Sequence, residues 1–475
     1  MNAITFDPDK PTTICALATP PGNSAIAVIR VSGPDSIPVC EKIFTPTTKH
    51  KKLSEEASHT IHFGKIKNES GIVDEVLLSI FHAPHSYTGE DSVEISCHGS
   101  QYIQQEIIGL LIDNGLHLAK AGEFTLRAFM NGKFDLSQAE AVADLIASHS
   151  KASHQLAINQ MRGGFSNKIK ELRKELLDFA SLIELELDFS EEDVEFADRK
   201  DLEGLLTKLK SEIINLKGSF KLGNVMKNGI PVAIIGKPNV GKSTLLNAIL
   251  NEEKALVSEI PGTTRDTIED VLNINGTSFR FIDTAGLRES GDKIENMGIE
   301  RTYQKIDSAK VILYVFDVST TNCTEIKETL KEFKEHISHL PNTVLKDKSF
   351  ILIANKTDML VEAPKGFKLM VEMDCMFISA KRKENINLII DKLSTLVEKE
   401  KFEDLSIVSN LRHFEALSKS LEAIEEIEKG FQENLSSDLI AIDIKQVLHY
   451  LGEITGQVTT DEILGNIFSK FCVGK

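Results

Sequence analysis

Eight residues constrain this chain more than any others: Gly236-Lys-Pro-Asn-Val-Gly241-Lys242-Ser243. They fit the pattern Gly-x4-Gly-Lys-Ser/Thr. An apolar run, Val232-Ala-Ile-Ile235, precedes them, and an apolar helical stretch, Leu245-Leu-Asn-Ala-Ile-Leu250, follows. A strand, a glycine-rich turn and a helix in that order let backbone N–H groups wrap phosphate oxygens, and the helix N-terminus adds a favourable field. Lys242 then neutralises the β- and γ-phosphates and Ser243 reaches Mg²⁺, with Asn239, Val240 and Thr244 completing the loop. Further apolar runs lie at Phe279-Arg-Phe-Ile282, Val311–Phe316 and Phe350–Ala354. Runs of this kind, separated by helical or loop segments, mark buried parallel strands of an α/β domain.

Four more motifs lie in workable order. Asp283-Thr284-Ala285-Gly286 closes the run Phe279–Ile282, where an aspartate can hold Mg²⁺ through water and the Gly286 N–H can reach a γ-phosphate. Upstream, Ser258-Glu259-Ile260-Pro261-Gly262-Thr263-Thr264 offers a threonine hydroxyl, assigned to Thr264, to complete the Mg²⁺ shell from a mobile loop. Asn355-Lys356-Thr357-Asp358 follows the strand Phe350–Ala354. Its Asp358 carboxylate accepts two hydrogen bonds from guanine N1–H and the 2-amino group, a pair adenine cannot supply. Ser379-Ala380-Lys381 places a backbone N–H on guanine O6. The nucleotide is therefore GTP. The glutamine that often follows Asp-Thr-Ala-Gly in small GTPases is replaced by Leu287, which cannot orient water.

A chain of 475 residues is too long for one core. Residues 1–130 mix short strand-like runs, 13–18, 25–31, 76–81 and 92–97, with turns and a helical stretch at 101–114, which reads as an α+β domain. Residues 131–226 carry helical periodicity through Ile169, Leu172, Leu176, Leu177, Ala180 and Ile183. The α/β domain occupies 227–396, and helical spacing returns over 397–475 through Leu411, Phe414, Leu417, Leu421, Ile424 and Ile427. An α/β domain inserted in a discontinuous helical one is the expected architecture. No apolar run is long enough to span a bilayer. The first residues show no basic region followed by an apolar stretch, so no secretory signal is expected. Six scattered cysteines without metal-type spacing fit a reducing, cytoplasmic setting. The net charge of −17 disfavours gripping nucleic acid by phosphate neutralisation alone.

The flanking segments narrow the reading. Ala18-Thr-Pro-Pro-Gly22, Val28–Gly33, Ser86–Asp91, Cys97-His-Gly99, Gly122–Phe129, Lys133–Ala141 and the closing Phe471-Cys-Val-Gly-Lys475 together resemble the tRNA modification GTPase MnmE (TrmE) family, essentially end to end. The resemblance implies a role, with a separate FAD-containing MnmG (GidA) partner in a heterotetramer, in forming the 5-carboxymethylaminomethyl group on the wobble uridine of tRNAs. It implies a homodimer built by a folate-binding-like N-terminal domain. A reduced folate, 5-formyl- or methylene-tetrahydrofolate, is expected near Arg30, Glu94, Lys133 and Lys475, where a carboxylate suits the pterin edge and cations suit the glutamate tail. The resemblance also addresses Leu287. Asn239 with Ser258, Ile260 and Thr263 match the family's K⁺ ligands, and K⁺ at the phosphates supplies the charge an arginine finger otherwise supplies. Glu295 matches its catalytic acid. Ser258 stands where threonine is familiar, which leaves the carbonyl ligand unaffected.

Two other functions fit the nucleotide motifs. A GTPase switch in ribosome assembly or RNA binding is the alternative, and a dimer scaffold is a third. The acidic balance, the folate-like domain and the Cys-x-Gly-Lys tail favour tRNA modification. For the tail, Thr459-Thr-Asp-Glu462 reads as a capping box that starts a last helix, with Gly474 breaking it and freeing a reactive or docking segment, Cys472 among its residues, toward Arg30 and Glu94.

Overall fold

The computed structural model describes residues 12–47, 52–188, 199–251, 256–257, 270–282, 298–339, 348–362, 366–397, 406–433 and 435–475. The chain forms two compact units, each gathered from separated stretches. One comprises Met1–Ala143, Gln160–Leu206 and Glu422–Lys475, the other Asp144–Asn159 and Thr207–Leu421.

The first unit holds a seven-stranded sheet. Its strands are β1 (Ile14–Leu17), β2 (Ser24–Ser32), β3 (Phe44–Pro46), β4 (Thr60–Asn68), β5 (Gly71–Phe81), β6 (Ser92–Gly99) and β7 (His117–Leu118), in the order β3-β4-β5-β6-β2-β1-β7. All neighbours are antiparallel except β1 and β7. Alternation assigns the faces. Ile29, Val31, Ile66, Leu78, Ile80 and Ile95 are buried in one cluster with Ile37 and Val39 of α1 (Ser36–Ile43) and Ile107 and Leu111 of α2 (Gln101–Asp113). On the opposite face Ile26, Ile61, Phe63 and Leu77 are exposed. The sequence pattern finds β1, β2, β5, β6 and α2 but passes over β3, β4, β7 and α1. β4 carries His62, Gly64, Lys65 and Lys67, and its identity comes from pairing, Phe63 opposite Leu77 and Ile61 opposite Ser79.

Helices complete this unit. α3 (Glu123–Met130) and the start of α4 (Leu136–Ile146) share a cluster with Phe468 and Phe471. α5 (Lys151–Met161) belongs to the second unit except for its last two residues. α6 (Gly164–Asp188) buries Ile169, Leu172, Leu176 and Ile183, with Leu177 left exposed, and runs beside α14 (Ser437–Thr455), where Arg173 donates to the Leu448 carbonyl at 3.2 Å. The last helix, α15, is Asp461–Phe468. Its cap differs from the expected box. Thr460, not Thr459, is the N-cap, its hydroxyl accepting from the Ile463 N–H at 3.3 Å, because Asp461 is already the first helical residue. The tail beyond it is not free either. Gly474 is buried at φ 93°, where any Cβ would overlap the Leu17 carbonyl oxygen at the end of β1, and the Cys472 carbonyl accepts from Gly122 N–H at 3.4 Å.

The second unit is built on β8 (Ile230–Ile235), β9 (Leu256–Val257), β10 (Asp270–Ile274), β11 (Thr277–Phe281), β12 (Val311–Asp317), β13 (Ser349–Asn355) and β14 (Met376–Phe377), ordered β14-β13-β12-β8-β11-β10-β9. Five neighbouring strands, β14 to β11, are parallel; β10 alone runs against the sheet, antiparallel to β11 on one side and to β9 on the other. Both faces are covered, as a parallel sheet requires: Val232 and Ile234 enter one apolar cluster, Ala233 and Ile235 the other. The four sequence-read strands are present. β10 escapes notice because Asp270 and Asn273 interrupt it. It exists through its hairpin with β11, turned by Asn275 and Gly276, both at positive φ. Around the sheet stand α8 (Lys242–Leu250), α9 (Gly298–Ser308), α10 (Cys323–His339), α11 (Phe367–Glu372) and α12 (Ile386–Val397). α7 (Arg199–Asn228) and α13 (Leu411–Gln432) each begin in one unit and end in the other; along α13, Leu417, Ile424 and Ile427 are buried and Leu411 is exposed. No helix of the described residues is long and apolar enough to cross a membrane.

Candidate functional site

β8 ends at Ile235 and α8 begins at Lys242, so the glycine-rich turn fills the gap between a central strand and a helix N-terminus. Three of its residues take positive φ: Gly236 at 147°, Asn239 at 60° and Gly241 at 96°. The glycines are also needed for space. A Cβ on Gly236 would overlap the Val315 carbonyl oxygen, and one on Gly241 would overlap the Asn355 amide nitrogen. Lys242 Nζ donates to the carbonyls of Gly236 (2.9 Å) and Lys237 (2.7 Å), which places its charge across the loop. Burial, and then the nearby Lys305, lower its pKa. Ser243 is half-buried on the first turn of α8 and Thr244 is exposed. Lys237 forms an ion pair with Glu325 of α10.

The base-reading motifs lie at the ends of the adjoining strands. Asn355, buried at the end of β13, clasps two loops at once: its Nδ2 donates to the Val240 carbonyl at 2.8 Å and its Oδ1 accepts from the Ala380 N–H at 3.0 Å. Lys356 sits at φ 68°, and its ammonium is held by Asp317 at 2.8 Å. Burial raises the Asp317 pKa, but Lys356 and Ser319 outweigh it and the carboxyl ends up below its ordinary value. Asp358 accepts from the Ser379 hydroxyl at 2.7 Å. That bond first, and Arg382 and Lys381 further off, keep its carboxyl below the usual range. Thr357 donates its N–H to the Ile378 carbonyl at 3.2 Å, and the Ser379 hydroxyl also takes the Arg382 N–H. The structure thus brings Asn239–Thr244, Asn355–Asp358 and Ser379–Lys381 to one edge of one sheet. Sequence reasoning gave Asn355 no separate role and passed over Asp317 and Glu325. A buried asparagine that ends an apolar strand was the available signal for the first; the other two show no signal, because their partners lie far along the chain. Ser258, Glu259, Ile260, Pro261, Gly262, Thr263, Thr264, Asp283, Thr284, Ala285, Gly286 and Glu295 lie outside the described residues.

A second cluster stands on the first unit's sheet. Arg30 of β2 faces Glu94 of β6 in register. Its Nε and Nη2 both meet Glu94 Oε1, at 2.9 and 2.8 Å. The guanidinium carbon lies 5.0 Å from the centroid of the Tyr87 ring and 5.7 Å from that of Phe124. Arg30 Nη1 is buried with no hydrogen-bond partner, an unspent donor that suits a carbonyl or carboxylate of a ligand. Lys475 comes close enough for Arg30 and Glu94 to act on it. Burial lowers its pKa, Arg30 lowers it further, and Glu94 and Cys472 partly offset this. Cys472 is exposed beside it. Lys133 stands apart: its ammonium bonds the Pro84 carbonyl at 3.0 Å. Among the described residues no group of histidine, cysteine and acidic side chains is arranged to hold a metal.

Two family models together match nearly the whole chain. The family model described as "MnmE helical domain" matches residues 136–472, and that described as "GTP-binding protein TrmE N-terminus" matches residues 13–133. Three curated relatives carry the name tRNA modification GTPase MnmE. Those of Christiangramia forsetii and Flavobacterium psychrophilum are each 53% identical, over 98% of this chain and 99% of their own. That of Bacteroides fragilis is 50% identical over the same shares.

Proposed function

The chain belongs to the tRNA modification GTPase MnmE family, and from that premise we propose that this GTPase, with an FAD-containing partner, forms the 5-carboxymethylaminomethyl group on the wobble uridine of tRNAs. One observation carries the proposal: Arg30, Glu94 and Lys475, drawn from the two ends of the chain, meet beside a thiol and an unspent buried donor. That chemistry fits a reduced folate, which supplies a one-carbon unit when bound. Arg30 is oriented by Glu94 and by the ring of Tyr87 to meet the ligand's oxygens, and Lys475 adds a half-buried ammonium. Lys133, on the Pro84 carbonyl, is the residue that must turn to join them. A switch in ribosome assembly has no use for this cluster.

In the other unit, Lys242 and the backbone N–H groups of Gly241–Thr244 bind phosphate and Asp358 reads guanine. Ser243, with Thr264, fits Mg²⁺. Asn239, held at positive φ on the turn, is proposed as a K⁺ ligand together with Ser258, Ile260 and Thr263. Bound there, K⁺ supplies positive charge to the phosphates; Glu295 orients water. Two such units must meet to shield that ion, so the active form is a homodimer. The exposed apolar residues Ile26, Ile61, Phe63 and Leu77 support a pairing surface on the N-terminal sheet. The dimer joins two partner chains as a heterotetramer in the cytoplasm.

The test is nucleoside analysis of tRNA from cells that lack the chain, coupled to GTP hydrolysis by the purified protein in K⁺ and in Na⁺ at equal ionic strength. Loss of the modified uridine and much faster hydrolysis in K⁺ are expected. Unchanged tRNA overturns the modification role, and equal rates overturn the potassium site.

A further inference from the structure

A cleft of about 450 Å³ opens in the first unit between the α3–α4 corner and the loop that joins α14 to α15. Its wall includes Phe129, Gly132, Phe134, Lys170, Gln457 and Thr459. That volume lies toward the small end of ligand pockets, roughly 300–1,000 Å³.

The cleft is built rather than incidental. Gly456, at φ 82°, lies against the Phe129 ring and Leu136, where a Cβ would come within 2.8 Å of both, so the loop is locked onto the ring. Asp135 caps α4, accepting from the Gln138 N–H at 2.9 Å and the Ser137 hydroxyl at 2.8 Å, while Gln138 Oε1 accepts from the Asp135 N–H at 3.0 Å. The second carboxylate oxygen of Asp135 holds the Lys170 ammonium at 2.7 Å, which fixes a cation at the rim with donors to spare. Gln138 spends its amide on the Met161 carbonyl at 3.0 Å.

The polar groups that remain are informative. Among the described residues neither the exposed side-chain amide of Gln457 nor the Thr459 hydroxyl has a hydrogen-bond partner within the protein. Two aromatic rings, one amide that both donates and accepts, one hydroxyl and one fixed ammonium form a set that suits a flat heterocycle with alternating donors and acceptors on its edge and an anionic group attached. Aromatic faces take stacked bases, and unpaired RNA bases are read at their edges. We propose that this cleft binds an unpaired nucleobase of the tRNA substrate, with Lys170 on its phosphate; the proposal rests on the functional reading above. The cleft also shares a wall with the Arg30 cluster. The Phe134 ring lies 6.0 Å from that of Tyr87, and Tyr87 in turn lies 5.0 Å from the Arg30 guanidinium. A base held there sits next to the residues proposed for the one-carbon donor.

The experiment uses the full chain and an unmodified tRNA transcribed with 4-thiouridine in place of uridine, irradiated in the near ultraviolet, with crosslinked peptides mapped by mass spectrometry. Crosslinks should fall in Phe129–Gln138 and Thr455–Thr459. Two variants should each lower them about tenfold: Gln457→Ala removes the amide, and Gly132→Asn puts a side chain into open space. Gly132 has φ 68°, a conformation asparagine tolerates, and nothing lies within 4 Å of where its Cβ would stand. Hydrolysis of GTP should not change in either. Crosslinks that map elsewhere, or that persist in both variants, overturn the cleft and leave the tRNA reading standing. No crosslink at any residue overturns both.

Discussion

Nucleotide choice rests on two side chains that do different work. Asp358 selects the base, and Asn355 holds the loop that Asp358 depends on. Asp358→Asn should lower GTP affinity by well over tenfold and raise affinity for xanthosine triphosphate, since charge-assisted hydrogen bonds contribute about 1.5–3 kcal/mol each. Titration with both nucleotides checks this, and unchanged GTP affinity removes the assignment. Asn355→Ala leaves the Val240 carbonyl and the Ala380 N–H without their partner in a buried place. Its expected cost is about 1–3 kcal/mol of stability, read by urea unfolding, together with weaker binding of every nucleotide tested. A variant that loses GTP but keeps xanthosine triphosphate would show that the clasp reads the base after all.

Among the elements, α9 ends in an unusual way. Lys348, 39 to 42 residues further along, donates to three carbonyls at its C-terminus: Ile306 (2.5 Å), Asp307 (2.9 Å) and Ala309 (2.7 Å). A cation at that end also meets the negative pole of the helix. Burial nevertheless pushes the Lys348 pKa down to about 8, with Asp307 only partly opposing it. An unfolded lysine titrates near 10.4, so between about pH 8 and 10.4 the unfolded chain holds more protons than the folded one, and the contribution of Lys348 to stability rises with pH across that window. Lys348→Met should therefore destabilise the protein by about 1–3 kcal/mol at pH 7 and by more at pH 9.5. A gap between the two unfolding midpoints that narrows with pH sinks this account. No pattern in the sequence announces the Lys348 cap, because its three acceptors are backbone atoms. The same contrast governs the strands. β12 and β13 are legible as unbroken apolar runs buried on both faces, whereas β4 and β10 carry polar residues and become strands only through their neighbours. The phosphate loop was legible because its requirements are local: two glycines where a Cβ has no room, then a lysine and a serine on a helix. The Arg30–Glu94 pair was not legible from spacing, since 64 residues separate the partners, and a family resemblance pointed to it.

For the molecule as a whole, the tail and the GTP site lie in different compact units. Removal of residues 472–475, or Cys472→Ser, should leave GTP hydrolysis nearly normal while abolishing tRNA modification, measured on the same preparations. Gly474→Val should behave as the deletion does, because its backbone conformation and its contact with Leu17 admit no side chain. A parallel loss of GTP hydrolysis marks the tail as a folding element instead. The interleaving of the units also bears on how the protein is made. The first unit needs Glu422–Lys475 to finish, yet its sheet is complete by His117–Leu118. At about 5–20 residues per second, the roughly 350 residues between Leu118 and Phe468, more than half of them in the stretch from Leu206 to Glu422, keep that sheet waiting on the order of twenty to seventy seconds. Through that interval the ring of Phe129 and the end of β1, which Phe468 and Gly474 later cover, face the ribosome surface and any passing chaperone, so speed of translation through the inserted unit sets how long the first stays sticky.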